Sequence, residues 1–133
     1  MAENGPVFEL RVALTVENYK AAVALYRDVL GLSIDHEFPG GSVFAAGKAT
    51  LEILTKDEAA RVDRIEVGRV VGAPVRLALE VADSTGTGEA MVAAGADLVG
   101  GPVTTPWGHK NVRLQTPEGV QITLFTVTPP PAA

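Results

Sequence analysis

The sequence predicts an α+β fold assembled from two tandem βαβββ modules, and a repeat together with a change of hydrophobic period predicts it. Arg11-Val-Ala-Leu-Thr-Val16 returns 65 residues later as Arg76-Leu-Ala-Leu-Glu-Val81, with Arg, Ala, Leu and Val at the same four of six places. Each copy alternates as a half-buried strand does. Beyond the helix that follows each copy, the period falls from 3.6 back to 2.

The elements follow in order. Two residues after each block stands a helix-capping residue, Asn18 or Asp83, whose side chain can accept from orphan N–H groups. The first helix sets Tyr19, Val23, Tyr26 and Leu30 on one face and stops at Gly31, where a left-handed residue is wanted. The second runs over 84–94 and stops at Gly95. Its opening, Ser-Thr-Gly-Thr-Gly-Glu-Ala, holds residues up to ~1 kcal/mol poorer than alanine in a helix, so a loose first turn is expected. Strands are read at 32–38, 42–46 and 50–55, then at 97–100, 110–115 and 120–127. Thr116-Pro117-Glu118-Gly119 has proline where a type I turn wants a fixed φ and glycine at its last place, which makes 110–127 a hairpin. Residues 56–74 mix charge with Val62, Ile65, Val67, Val70 and Val71 and read as a short helix plus a crossover. One domain follows: module one over 8–55, a linker over 56–74, module two over 75–127 and a frayed tail over 128–133, whose three successive prolines cannot pair as a strand.

Composition closes off whole classes of chemistry. With no cysteine, disulfides, thiolate metal sites and cysteine nucleophiles are excluded, and His36 and His109 alone supply imidazole, too few for a three-histidine site. Eleven Lys and Arg against 16 Asp and Glu give a formal charge of −5 over 133 residues, which disfavours nucleic acid and anionic lipid as partners. No apolar run approaches the ~18 residues of a membrane span, and the first ten residues lack the basic start and apolar stretch of a signal peptide. A cytoplasmic protein is expected. Gly40-Gly41 and Gly100-Gly101-Pro102 read as turn glycines without the Lys-Ser/Thr of a phosphate loop. No serine sits in a nucleophile elbow.

Four passages now identify a family. They are RVALTV with the helix AVALYRDVLGL, the strand LEIL, the second block RLALEV, and the run TPWGHKNVRLQTPEGVQITLF. Across residues 8–127 the chain resembles the vicinal oxygen chelate superfamily, also called the glyoxalase/bleomycin resistance protein/dioxygenase superfamily. The resemblance implies an eight-stranded mixed sheet curled into a cup around a ligand or metal, usually within a homodimer. Cupped sheets leave open edges that need cover, which agrees with a dimer.

Strand alternation says which side chains line that cup. Val12, Leu14 and Val16 are apolar and belong under the helix, so Arg11, Ala13 and Thr15 face the other way. The same rule separates Leu77, Leu79 and Val81 from Arg76, Ala78 and Glu80. It parts Leu51 and Ile53 from Thr50, Glu52 and Leu54, and Ile122 and Leu124 from Gln121, Thr123 and Phe125.

Metal-dependent members of the family ligate through a His or Gln on the first strand of each module and a Glu on the last. Here the first-strand places fall on Arg11 and Arg76 and the last-strand places on Glu52 and Thr123. A guanidinium has no acceptor and a threonine offers only a neutral hydroxyl, so no metal or other cofactor is expected. Two readings of Arg11, Glu52 and Arg76 stand side by side: a buried ionic cluster that ties the modules together, or guanidinium donors that hold a carboxylate or phenolate, with Glu52 orienting one of them.

Few rings are available. Trp107, the only tryptophan, lies in Thr105-Pro-Trp-Gly-His109, where it either folds over the cup's mouth and stacks on a flat ligand or covers the core or a dimer contact. Phe125 is on the cup face, and Phe44 is a second candidate for it. Tyr19 and Tyr26, at helical spacing, read as core. His109 is either a general base pointing inward or a solvated loop residue, and His36, between Asp35 and Glu37, is expected on the surface without a role.

These residues support two functions. One is a metal-free protein that sequesters an aromatic or antibiotic-like ligand in a dimer cleft through Arg11, Glu52, Arg76, Trp107, Thr123 and Phe125. The other is an enzyme with a non-standard site, a glyoxalase-like lyase or isomerase or a dioxygenase type, with Glu52 or His109 moving protons.

Overall fold

The computed structural model describes residues 7–128, so the expected tail lies, from residue 129 on, outside the described residues. Within them the order is β1 (Val7–Val16), α1 (Tyr19–Ala24), β2 (Ser33–Phe38), β3 (Gly41–Ala46), β4 (Ala49–Thr55), α2 (Lys56–Val67), β5 (Val75–Val81), α3 (Ser84–Ala93), β6 (Asp97–Thr104), β7 (His109–Gln115) and β8 (Gln121–Val127). All eight strands join one mixed sheet in the order β2-β3-β4-β1-β5-β8-β7-β6. That order is two copies of one module set edge to edge. β1 pairs parallel with β4, β5 pairs parallel with β8, and β1 meets β5 antiparallel. In that central pair Arg11 stands opposite Ala78 and Ala13 opposite Arg76, so each copy of the repeat faces the other across a pseudo-twofold axis.

The helices start where their caps dictate. Asn18 accepts from the N–H of Ala21 and Asp83 from that of Gly86, each at 3.0 Å. Past Ala24 the first helix widens over Leu25–Val29, where the N–H of Leu30 reaches the carbonyl of Leu25 at 3.0 Å. The wider turn rotates Leu30 off the core face. It is 62% exposed, whereas Tyr19, Val23 and Tyr26 pack as expected against Phe44 and Ile53. Phe44 is therefore core, on the face opposite the expected cup, because β3 turns it toward α1. The first turn of α3 is anchored rather than loose. The Ser84 N–H donates to Thr126 Oγ1 and its hydroxyl to the Lys110 carbonyl, both at 2.8 Å, and a Cβ on Gly88 would lie 3.1 Å from Val112. The Pro117 turn closes through Gly119 N–H to the Thr116 carbonyl at 2.9 Å, with Gly119 at φ +91°.

One apolar cluster sits under each module's helix, Val23, Phe44 and Ile53 beneath α1, and Val81, Val112, Leu114, Ile122 and Leu124 beneath α3. The opposite face of the sheet carries α2, which crosses it from one module to the other. Near its start Glu58 passes so close to the β2–β3 turn that a Cβ on Gly40 would lie 2.7 Å from it. Near its end Val67 passes so close to β6 that a Cβ on Gly100 would lie 2.7 Å from the Val67 Cα. Gly100 and Gly101 are thus not turn glycines. They belong to β6, which runs on to Thr104, and Gly100 lacks a side chain because the backbone of α2 occupies that space.

Candidate functional site

Alternation along the strands sends Arg11, Glu52, Arg76, Thr123 and Phe125 to the α2 side of the sheet, where they border a cavity of about 750 Å³. Helix α2 contributes Glu58, Arg61, Val62 and Glu66 to the same wall, one stripe of a 3.6-residue period. On the other side of α2 a smaller cavity of about 290 Å³ lies against Thr15, Asp63 and Ala73, and Leu54 and Arg76 border both spaces.

Three arginines on this face have different surroundings. Arg11 is held by two carboxylates: Nη2 lies 3.1 Å from Glu9 Oε2 and Nη1 lies 3.4 Å from Glu52 Oε2. Arg113, 1% exposed, is also held by two, with Nη1 at 3.0 Å from Asp63 Oδ1 and Nε at 2.9 Å from Glu66 Oε1. Its Nη2 is also 2.8 Å from Glu66 Oε1, an ion-pair contact out of line for a hydrogen bond. Glu66 further accepts from Thr123 Oγ1 at 2.9 Å and Asn111 Nδ2 at 2.7 Å, and Asp63 takes the N–H groups of Val71 and Gly72 at 2.9 and 3.1 Å. Burial works to raise the Asp63 carboxyl, but those N–H groups and Arg113 outweigh it and hold its pKa below the ordinary carboxylate value.

Arg76 is the exception. It is 9% exposed, yet among the described residues no carboxylate pairs with it, and its hydrogen bond is Nη1 to Thr123 Oγ1 at 2.9 Å. Burial pulls its pKa below the ordinary arginine value while Glu66, Glu52 and Asp63 pull it back. A guanidinium stays charged under such conditions. Its remaining nitrogens have no protein partner among the described residues and are not sealed from solvent, so they open onto cavity space.

The rings form a row beside it. His109 stacks on Phe125 with centroids 5.1 Å apart and planes 15° from parallel, and Trp107 meets His109 edge-on at 6.5 Å and 80°. Arg61 lies over the Trp107 ring at 5.6 Å and is held by Glu58 at 2.9 Å, which joins α2 to the β6–β7 turn across the cavity mouth. Trp107 itself is 40% exposed. Burial and then Arg11 lower the His109 pKa below its ordinary value of 6.5, so the ring is neutral at pH 7. His36 is exposed and paired with Asp35 at 2.9 Å, yet it also borders the cavity beside Phe38.

Asn111, Arg113, Asp63 and Glu66 are polar residues of this face that the sequence did not single out, as are Glu9, Glu58 and Arg61. Alternation along β7 would have found two of them, since Val112 and Leu114 lie under α3 and Asn111 and Arg113 must face the other way. No comparable signal marked Asp63 and Glu66, because acidic residues in a charged linker read as a solvated face.

The donor set does not fit a divalent cation. Two of the four family positions are guanidiniums, the Thr123 hydroxyl is already committed to Glu66, and Glu52 stands alone. Among the described residues no three of His, Asp and Glu converge as metal ligands. No helix of the described residues is long and apolar enough to cross a membrane.

No curated protein matches the chain in sequence. Among solved structures, a glyoxalase/bleomycin resistance protein/dioxygenase superfamily member from Vibrio splendidus 12B01 is similar, with TM-score 0.66, 14% identity and coverage of 89% of this chain and 97% of that one. So is methylmalonyl-CoA epimerase from Mycobacterium tuberculosis, with TM-score 0.65, 21% identity and coverage of 93% and 91%. The Mn(II)-bound glyoxalase from Novosphingobium aromaticivorans gives TM-score 0.59 and 21% identity over 92% of this chain and 40% of that one. At such identities these likenesses are of fold. The family model of the Glyoxalase/Bleomycin resistance protein/Dioxygenase superfamily matches residues 10–124, and the chain belongs to that superfamily.

Proposed function

We propose that this chain is a cytoplasmic, metal-free binding protein that sequesters a small aromatic or antibiotic-like molecule on the α2 side of its sheet. The observation that carries the reading is Arg76, a buried guanidinium without a carboxylate partner among the described residues, which opens onto a cavity bordered by Trp107, His109 and Phe125. A buried charge left unpaired is costly unless something else pairs with it, and an anionic group on a ligand does so. The aromatic row offers the flat surface on which a ring stacks. Arg11, already held by Glu9 and Glu52, shapes the wall. Assembly as a homodimer is part of the proposal, supported by the two unpaired edges of the sheet, β2 and β6; light scattering on the eluting protein tests it, and a monomer removes it.

The test is a panel of benzoate, salicylate and 3-phenylpropanoate, read by Trp107 fluorescence and melting temperature. Saturable quenching with an upward shift supports the reading, and a flat response across the panel removes it.

One observation favours a second reading, a lyase or isomerase without a metal. The lowered pKa of His109 leaves a neutral imidazole, which is a base, bordering the same cavity as Glu52. Exchange of a substrate C–H for deuterium that His109→Gln abolishes supports this reading, and exchange unaffected by both His109→Gln and Glu52→Gln removes it.

A further inference from the structure

Glu52 and Arg76 flank one small residue. On the sheet Ala13 stands opposite Glu52 on β4 and opposite Arg76 on β5, which sets the two Cα atoms about 10 Å apart, two strand spacings. Ala13 is 3% exposed and offers only a methyl group between them, and Ala78, one pleat along β5, is also alanine. Among the described residues the carboxylate and the guanidinium do not meet: Glu52 Oε2 is 3.4 Å from Arg11, Arg76 turns to Thr123, and Glu52 Oε1 has no hydrogen-bond partner. Both side chains border the large cavity.

The charges around them leave two loose ends of opposite sign. Arg11 is shared by Glu9 and Glu52, so that end of the wall holds a surplus of negative charge. Arg113 holds both Asp63 and Glu66, so that end too carries a surplus of negative charge, which reaches Arg76 only through the Thr123 hydroxyl, and Arg61 is satisfied by Glu58. Arg76 itself touches no carboxylate among the described residues. A simple anion on Arg76 would bring a second negative group up to Glu52, and a simple cation on Glu52 would face Arg76. A group carrying both charges side by side satisfies both. Phe125 stands two residues along β8 from Thr123 on the same face, about 7 Å away, with His109 stacked on it.

We infer that the ligand is an aromatic zwitterion of the α-amino acid class, with its carboxylate on Arg76, its ammonium on Glu52 and its ring in the row formed by Phe125, His109 and Trp107. This rests on the reading of the cavity as a ligand site and adds the charge pattern of what it takes.

Three probes of matched size test it on the full chain: L-phenylalanine, 3-phenylpropanoate, which lacks the ammonium, and 2-phenylethylamine, which lacks the carboxylate. The single indole N–H resonance of Trp107 reports binding of each. The expected result is a dissociation constant for phenylalanine at least tenfold below those of the other two, with Glu52→Gln erasing the advantage over phenylpropanoate. Phenylpropanoate binding as tightly as phenylalanine overturns the zwitterion and leaves the anion-anchored site standing. Phenylethylamine binding tightest overturns the zwitterion and the anchor on Arg76 together. No saturable shift with any probe removes both inference and site. The comparison among probes is made on the unaltered protein, so it stands even if Glu52→Gln does not fold.

Discussion

Glu66 on α2 and Arg113 on β7 face each other at 2.9 Å, both almost completely buried, and this pair fastens the linker helix to the sheet. Their surroundings complete the pairing, since Asp63 holds the other end of the guanidinium and Asn111 and Thr123 occupy the remaining carboxylate positions. The helix that separates the two cavities is therefore held largely by charge: of its three buried residues Val62, Asp63 and Glu66, two are carboxylates.

Removing one member of a buried pair costs more than the pair contributes, because the other charge is left behind. Glu66→Ala should destabilise by about 3–5 kcal/mol, a large share of the 5–15 kcal/mol typical of a domain. Urea denaturation measures it, and amide exchange over residues 56–67 should rise in the variant. A loss under 1 kcal/mol would mean that α2 is held by something else.

The close approach at this same end of α2 is equally specific. Gly100→Ala puts a methyl group into the backbone of Glu66 and Val67 and should cost about 1–3 kcal/mol. Gly47, whose added Cβ would meet nothing, serves as the control: there the cost is the positive φ alone, about 1 kcal/mol. Equal melting temperatures for the two variants would contradict the packing argument.

His109 gives a pH prediction with a definite sign. Its folded pKa lies below its ordinary 6.5, so on acidification the unfolded chain takes up this proton first. The contribution to stability is complete above the unfolded value and is lost as pH falls from there through the folded one. The imidazole Cε1–H resonance of His109 should titrate with a midpoint below 6.5; a midpoint at 6.5 would place the ring in solvent, and one above it beside an unpaired carboxylate.

Much of this arrangement is legible in the residues. The repeat of Arg11 as Arg76 announces two modules, and alternation along β4, β5 and β8 separates Leu51, Ile53, Leu77, Leu79, Ile122 and Leu124 from the polar face, because the side covered by α1 and α3 is mostly apolar. Leu30 and Gly100 are less legible. A widened helical turn and the passage of α2 over Gly100, from residues well before it in the chain, are matters of tertiary packing, and neither leaves a local mark. The electrostatic bookkeeping around Arg76 changes for the same reason: with only Arg11, Glu52 and Arg76 in view the site is net positive, and Glu9, Asp63 and Glu66 enter once the chain is folded.

In the proposed function Arg76 is held unpaired for a ligand and is not a tie between the modules. Arg76→Met, measured for unfolding free energy and for the melting shift given by the tightest compound of the aromatic carboxylate panel, tests it most directly. The expected result is stability unchanged or raised by about 1 kcal/mol, since an apolar side chain of similar length removes a buried unpaired charge, together with loss of the ligand shift. A loss of about 3 kcal/mol or more with the ligand shift intact would contradict it and make Arg76 a structural residue.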